Sequence, residues 1–75
     1  MYPVRIYEVD DRDYNDLAKA LQYLDTRTWG FVPYSEIEDS GYGLEVITFI
    51  DDYSDLDQIE DYLDSYGFHY VLEEL

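Results

Sequence analysis

With 75 residues, the chain has room for one domain with one core, which we expect to span residues 1–75. The absence of cysteine excludes disulfides and thiolate metal sites. Nineteen Asp and Glu against four Lys and Arg give a formal net charge of −15, which excludes nucleic acid and anionic membranes as direct partners and favours a basic partner.

The first predicted elements are a strand and an amphipathic helix. Residues 2–9 are rich in β-branched and aromatic side chains, which predicts a strand. Asp11 or Asp13 is suited to cap the helix that follows. Apolar side chains then recur at helical spacing, which predicts an inner helix face formed by Tyr14, Leu17, Ala18, Leu21 and Leu24.

Two further strands are predicted in the middle of the chain. Residues 29–38 have the composition of a strand, and Pro33 places it at a sheet edge because proline cannot donate a ladder hydrogen bond. Residues 39–43 contain Asp, Ser and two glycines, which predicts a turn. Residues 44–50 then form the strongest predicted strand.

A second helix and a last strand complete the series. Ser54 and Asp57 resemble a capping box, and Gly67 occupies the position of a left-handed residue after a helix. Residues 68–72 predict the closing strand. The inner face of this second helix is predicted to carry Leu56, Ile59, Tyr62, Leu63 and Tyr66.

The order strand-helix-strand-strand-helix-strand predicts an α+β fold of the βαββαβ, ferredoxin-like (split βαβ) type. This fold has a four-stranded antiparallel sheet with two helices on one face. The other sheet face is then bare, yet its predicted residues are largely apolar, which is typical of a covered surface. We expect this face to form a homodimer or to dock a partner through Tyr7, Val9, Ile47, Phe49 and Val71.

Tyrosine is abundant, with ten copies in the chain. Most of them are expected in the core, and this aromatic content argues against disorder in spite of the high charge. Exposed tyrosines among acidic residues are suitable anchors for a protein interface. The tyrosines expected at the surface are Tyr2, Tyr7, Tyr42 and Tyr53.

The carboxylates fall into three clusters, which we interpret as a partner-binding surface. The first has seven carboxylates in fourteen residues without a positive charge. On a helix it would span roughly 20 Å with one charge about every 3 Å, close to the 3.4 Å of a DNA strand. An ordinary solvated helix face mixes charge signs instead. The clusters are Asp51, Asp52, Asp55, Asp57, Glu60, Asp61 and Asp64; Asp10, Asp11, Asp13 and Asp16; and Glu36, Glu38 and Asp39.

Motifs for metal binding and catalysis are not found. An EF-hand loop starting at Asp51 would need glycine at its sixth position and glutamate at its twelfth, which are Leu56 and Tyr62. His69, the one histidine, is expected to be structural. The sequence has neither a nucleophile elbow nor a phosphate-binding glycine loop. We therefore expect no enzyme activity, no cofactor and no metal.

The whole profile resembles the DNA-mimic inhibitors of phages and mobile elements, including antirestriction and anti-CRISPR proteins. Those proteins are short, cysteine-poor, acidic and rich in aromatic residues. The segment IYEVDDRDYN, with Tyr7 and Tyr14-Asn15, resembles the opening strand of transposon-borne antirestriction proteins. In those proteins a glycine-containing turn follows, whereas here Asp16-Leu17-Ala18-Lys19 predicts a helix.

The resemblance implies a mechanism and a compartment. The carboxylates would occupy the Lys/Arg channel of a restriction enzyme, a CRISPR effector or another DNA-handling protein. The expected location is the cytoplasm, that of the host cell if a phage encodes the chain. This location agrees with an N-terminus that lacks a signal pattern and with apolar runs too short to cross a membrane.

Three alternatives remain open from the sequence. The first is an acidic interaction module, such as an antitoxin or adaptor, that binds a basic partner without imitating DNA. The second is a domain adapted to brine, which two alanines against ten tyrosines and five isoleucines disfavour. The third is a small enzyme, which would require a pocket enclosing His69 and a carboxylate.

Overall fold

The computed structural model describes residues 2–27, 32–33 and 35–75. The chain folds into an antiparallel sheet with two helices packed on one of its faces. Each helix follows a short 3₁₀ turn, at Asp11–Asp13 and at Tyr53–Asp55. The strands are β1 (Tyr2–Val9), β2 (Val32–Pro33), β3 (Glu38–Asp39), β4 (Leu44–Ile50) and β5 (Val71–Glu74), and the helices are α1 (Tyr14–Arg27) and α2 (Leu56–Asp64).

The sheet is built around the pairing of β1 with β4. The strand order is β2-β4-β1-β5, and every neighbouring pair is antiparallel. β3 also pairs with β4, so that Glu38 lies opposite Glu45 while Pro33 of β2 lies opposite Thr48. Because β2 and β3 follow the same side of β4, they share one edge position of a four-position sheet. The predicted α+β class with a four-stranded antiparallel sheet and two helices is confirmed.

The edge strand predicted over residues 29–38 is wrong in extent. Only Val32–Pro33 and Glu38–Asp39 are strand, while residues 28–31 and 34 lie outside the described part of the chain. Ser35 explains the interruption, since its hydroxyl accepts a hydrogen bond from the Ile47 amide at 2.9 Å. The Ser35 amide donates to the Ile47 carbonyl at 3.2 Å. In the segment between β2 and β3, the Ile47 amide of β4 thus donates to a side-chain hydroxyl and not to a backbone carbonyl.

The core lies between the sheet and the two helices. β4 alternates strictly between buried and half-buried residues, as expected for a strand with one covered face. Thr48 is the buried polar residue of this strand, and its hydroxyl donates to the Val4 carbonyl at 3.2 Å. The buried core residues are Val4, Ile6, Val9, Leu17, Ala20, Leu21, Leu24, Leu44, Val46, Ile50, Ile59, Leu63 and Phe68.

The inner face of α1 differs from the predicted one at three positions. Tyr14 is exposed and Ala18 is half-buried, whereas Ala20 is fully buried. The helix begins at Tyr14, so this first residue lies before the turns that cover the sheet. The buried stripe therefore runs through Leu17, Ala20, Leu21 and Leu24 at i, i+3, i+4 and i+7.

Val9 lies in the core, so its predicted place on the open sheet face is wrong. Ile6 pairs with Val46 and Val9 pairs with Leu44, so β1 contains one more residue than β4 over this stretch. Glu8 adopts a left-handed backbone conformation, with φ of +59°. This β-bulge shifts the alternation of side chains along β1, so Val9 faces the helices.

The helix caps also differ from the predicted ones. Asp10, and not Asp11 or Asp13, accepts a hydrogen bond from the Arg12 amide at 2.9 Å. The capping box predicted at Ser54 and Asp57 is replaced by Asp52, which accepts from the Ser54 amide at 3.0 Å. Both helices begin with a 3₁₀ turn, and this turn moves the capping position toward the N-terminus.

The end of α2 is followed by a glycine in the left-handed conformation, as the sequence predicts. Gly67 has φ of +79°, and Phe68 is buried against the core. The closing strand comes later than residues 68–72, because the pairing with β1 starts where Val71 lies opposite Tyr7. β5 ends at Glu74, opposite Val4.

Candidate interaction surfaces

Helix α2 gathers four carboxylates of the first cluster on its outer face. Asp57, Glu60, Asp61 and Asp64 are all exposed and follow one another at i, i+3, i+4 and i+7. We call these four residues the α2 stripe. On the opposite side of the helix, Ile59 and Leu63 are buried in the core, so the stripe must face solvent.

The rest of the first cluster lies before the helix. Asp51, Asp52 and Asp55 occupy a bend and the 3₁₀ turn, so the helical row is shorter than the predicted one. The α2 stripe rises about 10 Å along the helix axis. A DNA strand carries about three phosphates over that length. The α2 stripe, and not the whole first cluster, therefore has the charge density expected from the sequence, which is close to that of a DNA strand.

The charges of the α2 stripe are not compensated by ion pairs within the described residues. Like charges at i+3 and i+4 destabilise a helix by about 0.2–0.5 kcal/mol per pair. Glu60, Asp61 and Asp64 also lie toward the C-terminal end of α2, where the helix dipole disfavours negative charge. The stripe therefore opposes the stability of its own helix.

The Tyr70 hydroxyl reaches two residues of the α2 stripe. The Tyr70 hydroxyl lies 2.7 Å from Asp64 Oδ1, to which it donates, and 3.1 Å from the Glu60 carbonyl oxygen. Partial burial of the phenol, followed by its bond to Asp64, raises the Tyr70 pKa above its ordinary value. This contact joins the approach to β5 to the end of α2.

The second cluster lies at the start of α1 and is partly neutralised. Asp10 accepts from Arg12 Nε at 3.2 Å, and the side-chain and backbone hydrogen bonds of Arg12 lower the Asp10 pKa. Asp11 is exposed, while Asp13 and Asp16 are half-buried. The exposed Lys19 follows on α1, so this helix does not continue an unbroken acidic face.

The sheet register decides which clusters meet. Val9 and Asp39 both lie opposite Leu44, on its two sides, so Asp10 and the third cluster lie at the same end of the sheet. Glu36, Glu38 and Asp39 are exposed there. Asp51 follows Ile50 at the other end, since Ile50 lies opposite Tyr2. The second and third clusters therefore share one end of the sheet, and the first begins at the other end.

The open sheet face has a polar centre that the sequence reasoning missed. Arg5 Nη2 lies 2.6 Å from Glu45 Oε2 and Arg5 Nη1 lies 3.6 Å from Glu73 Oε1. The Arg5 guanidinium also lies 4.1 Å from the ring centroid of Tyr7. The hydrogen bonds that Arg5 donates to Glu45 raise the Arg5 pKa above its ordinary value. The parity of Arg5, Glu45 and Glu73 along their strands is the signal that could have revealed this network.

Apolar side chains surround that centre. The half-buried side chains on this face are those of Tyr7, Ile47, Phe49 and Val71, as the sequence predicts for these four residues. Phe49 lies opposite Pro3 and Ile47 lies opposite Arg5. The face is thus a mixed surface with a paired arginine at its middle and apolar residues around it.

Of the four tyrosines expected at the surface, Tyr2 and Tyr42 are exposed. Tyr7 and Tyr53 are half-buried, and the Tyr53 ring lies 4.7 Å from that of Tyr2. Tyr14 and Tyr23 on α1 are exposed as well, which helical periodicity did not reveal.

The chemistry of the described residues is limited. His69 Nε2 lies 3.5 Å from Glu8 Oε2, and both side chains are exposed. Within the described ranges, no three acidic or histidine side chains are arranged to hold a metal ion. Neither helix, as far as the chain is described, has the length and apolar character needed to cross a membrane. Comparison with protein-family models, curated proteins and solved structures gave no match.

Proposed function

We propose that this protein is an acidic DNA-mimic inhibitor that occupies the nucleic-acid-binding surface of a DNA-handling protein, such as a restriction enzyme or a CRISPR effector. The observation that carries this proposal is the α2 stripe, four exposed carboxylates in one row without a described cationic partner. A surface that binds DNA presents Lys and Arg in rows, and an acidic row of similar charge density competes for them.

Rigid support for the α2 stripe favours mimicry over a loose acidic tail. The Tyr62 ring on the inner side of α2 stacks on Tyr23 of α1, with ring centroids 4.3 Å apart and planes 9° from parallel. The Tyr62 and Tyr66 hydroxyls lie 2.9 Å apart. These contacts, with the burial of Ile59 and Leu63, hold the helix in place. Carboxylates on a fixed helix backbone lose less conformational freedom on binding than those of a loose acidic tail.

We also propose that the fold is of the ferredoxin-like type. The order β2-β4-β1-β5, with β2 and β3 counted as one edge position, supports this topology. Packing of both helices on one sheet face supports it as well. The arrangement leaves the four carboxylates of the α2 stripe exposed on the outer side of the helix, with the Tyr70 hydroxyl at its C-terminal end.

The open sheet face favours a second candidate, an acidic interaction module that binds a basic partner away from its DNA site. Tyr7, Ile47, Phe49 and Val71 form a half-exposed apolar surface around Arg5. Such a surface would contribute salt-resistant binding to a partner or to a second copy of the chain.

Competition with DNA separates the two candidates. Restriction endonucleases and CRISPR nucleases are assayed for plasmid cleavage at low salt with increasing amounts of this protein. For a mimic we expect inhibition that excess DNA of unrelated sequence relieves and that weakens steeply as salt increases. Inhibition that DNA does not relieve indicates the interaction module. Full activity of every nuclease at saturating protein concentration contradicts the proposal.

A further inference from the structure

The turn between β3 and β4 carries the most exposed tyrosine of the described chain. Tyr42 retains 90% of its accessible surface, against 47% for Tyr14 and 46% for Tyr2. A large aromatic side chain in this position adds apolar surface to solvent without any stabilising contact. Aromatic residues of this kind supply much of the binding energy in protein interfaces.

The turn that carries Tyr42 is held in one conformation. The Ser40 amide and hydroxyl donate to the Gly43 carbonyl at 2.9 and 3.0 Å. Asp39 Oδ1 accepts from the Gly41 amide at 2.9 Å. A Cβ atom on Gly43 would lie 2.8 Å from the Val9 carbonyl oxygen, so the turn is packed tightly against the β1 bulge. The backbone of Tyr42 is therefore fixed before any partner binds.

Two grooves meet at Tyr42, and Glu8 lines both of them. The first, about 390 Å³, is also lined by Asp10, Asp11 and His69. The second, about 360 Å³, is formed on the open sheet face by Arg5, Tyr7 and Ser40 together with Tyr42 and Glu8. The Tyr42 ring thus stands between two concave surfaces that both contain a carboxylate.

We propose that Tyr42 and the groove beside it bind an arginine side chain of the partner. The guanidinium stacks on the Tyr42 ring, and Asp11 or Glu8 accepts its hydrogen bonds. The proposal deepens the proposed function and rests on it in one respect, that the partner is basic. Arginine fits better than lysine because its planar group both stacks on an aromatic ring and bonds a carboxylate with two donors.

The charges around the groove support a cationic occupant. Asp10 is engaged by Arg12, whereas Asp11 forms no ion pair among the residues that the structure describes. Arg5 over Tyr7, at 4.1 Å, shows the same guanidinium-on-tyrosine geometry at the border of the second groove. An apolar occupant would bury Asp11 without a counter-charge, which is costly. A second copy of the chain would bring another charge of −15 against this surface.

Titration with defined peptides tests this inference without knowledge of the partner. An oligoarginine and an oligolysine peptide of equal length are added to isotope-labelled protein at low salt, and amide chemical shifts are followed by NMR. Both peptides should also shift the α2 stripe, but we expect oligoarginine to bind more tightly than oligolysine and to shift Glu8, Asp11 and Tyr42 more than oligolysine does. Tyr42→Ala should weaken its binding about two- to fivefold, while Tyr42→Phe should retain it because the ring remains.

Tyr14→Ala is the matched control, since Tyr14 is an exposed tyrosine on α1 that lines neither groove. Equal effects of Tyr42→Ala and Tyr14→Ala would overturn the inference. Shifts confined to the α2 stripe, with none at Glu8, Asp11 and Tyr42, would overturn it too, while nuclease inhibition relieved by DNA would still support the proposed function. Equal binding of both peptides at the same residues would contradict the preference for arginine.

Discussion

At Gly43 two backbone segments come so close that no other residue fits without strain. Its φ of +114° and the 2.8 Å between a Cβ atom and the Val9 carbonyl oxygen both require glycine. We expect Gly43→Ala to lower the free energy of unfolding by about 1–3 kcal/mol, measured by urea denaturation. Gly41→Ala is the control, because Gly41 has φ of +88° but no atom within 4 Å of the added carbon. Equal losses would show that the close approach is not significant.

Tyr70 gives the protein an alkaline pH dependence. Its pKa is higher in the folded state than in the unfolded state, because of partial burial and the bond to Asp64. A raised pKa stabilises the fold fully below the ordinary tyrosine value of about 10, and this stabilisation is lost as pH rises above it. We expect Tyr70→Phe to be less stable than wild type at pH 8, by about 1 kcal/mol. In thermal unfolding the difference should shrink above pH 10, and a constant difference would contradict the assignment.

At the level of the elements, repulsion within the α2 stripe predicts a stabilising substitution. Asp61 has Asp57 four residues before it and Asp64 three residues after it. Asp61→Asn removes both like-charge pairs and should raise the free energy of unfolding by about 0.4–1 kcal/mol at low salt. The gain should fall as salt is added, because salt screens exposed charges.

Asp25→Asn on α1 is the control for that change. Asp25 is exposed, and its neighbours three and four residues before it are Gln22 and Leu21. Its neutralisation relieves no like-charge pair of that kind, so the gain should be smaller. A larger gain from Asp25→Asn than from Asp61→Asn in urea denaturation would contradict repulsion within the stripe.

The elements follow from periodicity where one face of a segment is buried. The alternation of β4 and the apolar stripe of α2 are visible in the sequence, because each segment packs one face against the core. The buried residues are at alternate positions from Leu44 to Ile50 and, on α2, at Ile59 and Leu63. The bulge at Glu8 is not visible, since glutamate gives no signal for a left-handed conformation. The edge strand is cut short by Ser35, whose side-chain hydrogen bond to Ile47 depends on the tertiary structure.

The candidate surfaces, like the helices and strands, could be predicted from the sequence only in part. That Glu60, Asp61 and Asp64 are exposed follows from their spacing against the buried residues of α2. The separation of Asp51 from Asp10 does not, because it depends on the register of β1 with β4. Residues distant in sequence meet through that register, and local patterns do not specify it.

For the whole molecule, the location of the charge is more informative than its sum. The longest dimension is 29 Å, and the first and second clusters begin at opposite ends of the sheet. Since the Debye length is about 8 Å at physiological ionic strength, exposed charges at the two ends are largely screened from each other. The α2 stripe is the group of carboxylates whose spacing is set by a single helix.

The most direct test of the DNA-mimic proposal compares two variants that have the same net charge. One carries Asp57→Asn, Glu60→Gln, Asp61→Asn and Asp64→Asn. The other neutralises exposed carboxylates outside the stripe, at Asp25, at Glu74 and, within the third cluster, at Glu36 and Glu38, so it also measures what that cluster contributes. The measurement is the protein concentration that halves DNA cleavage by an inhibited nuclease. We expect this concentration to rise at least about tenfold for the stripe variant and much less for the control. An equal rise for both would mean that net charge, and not the α2 stripe, binds the partner.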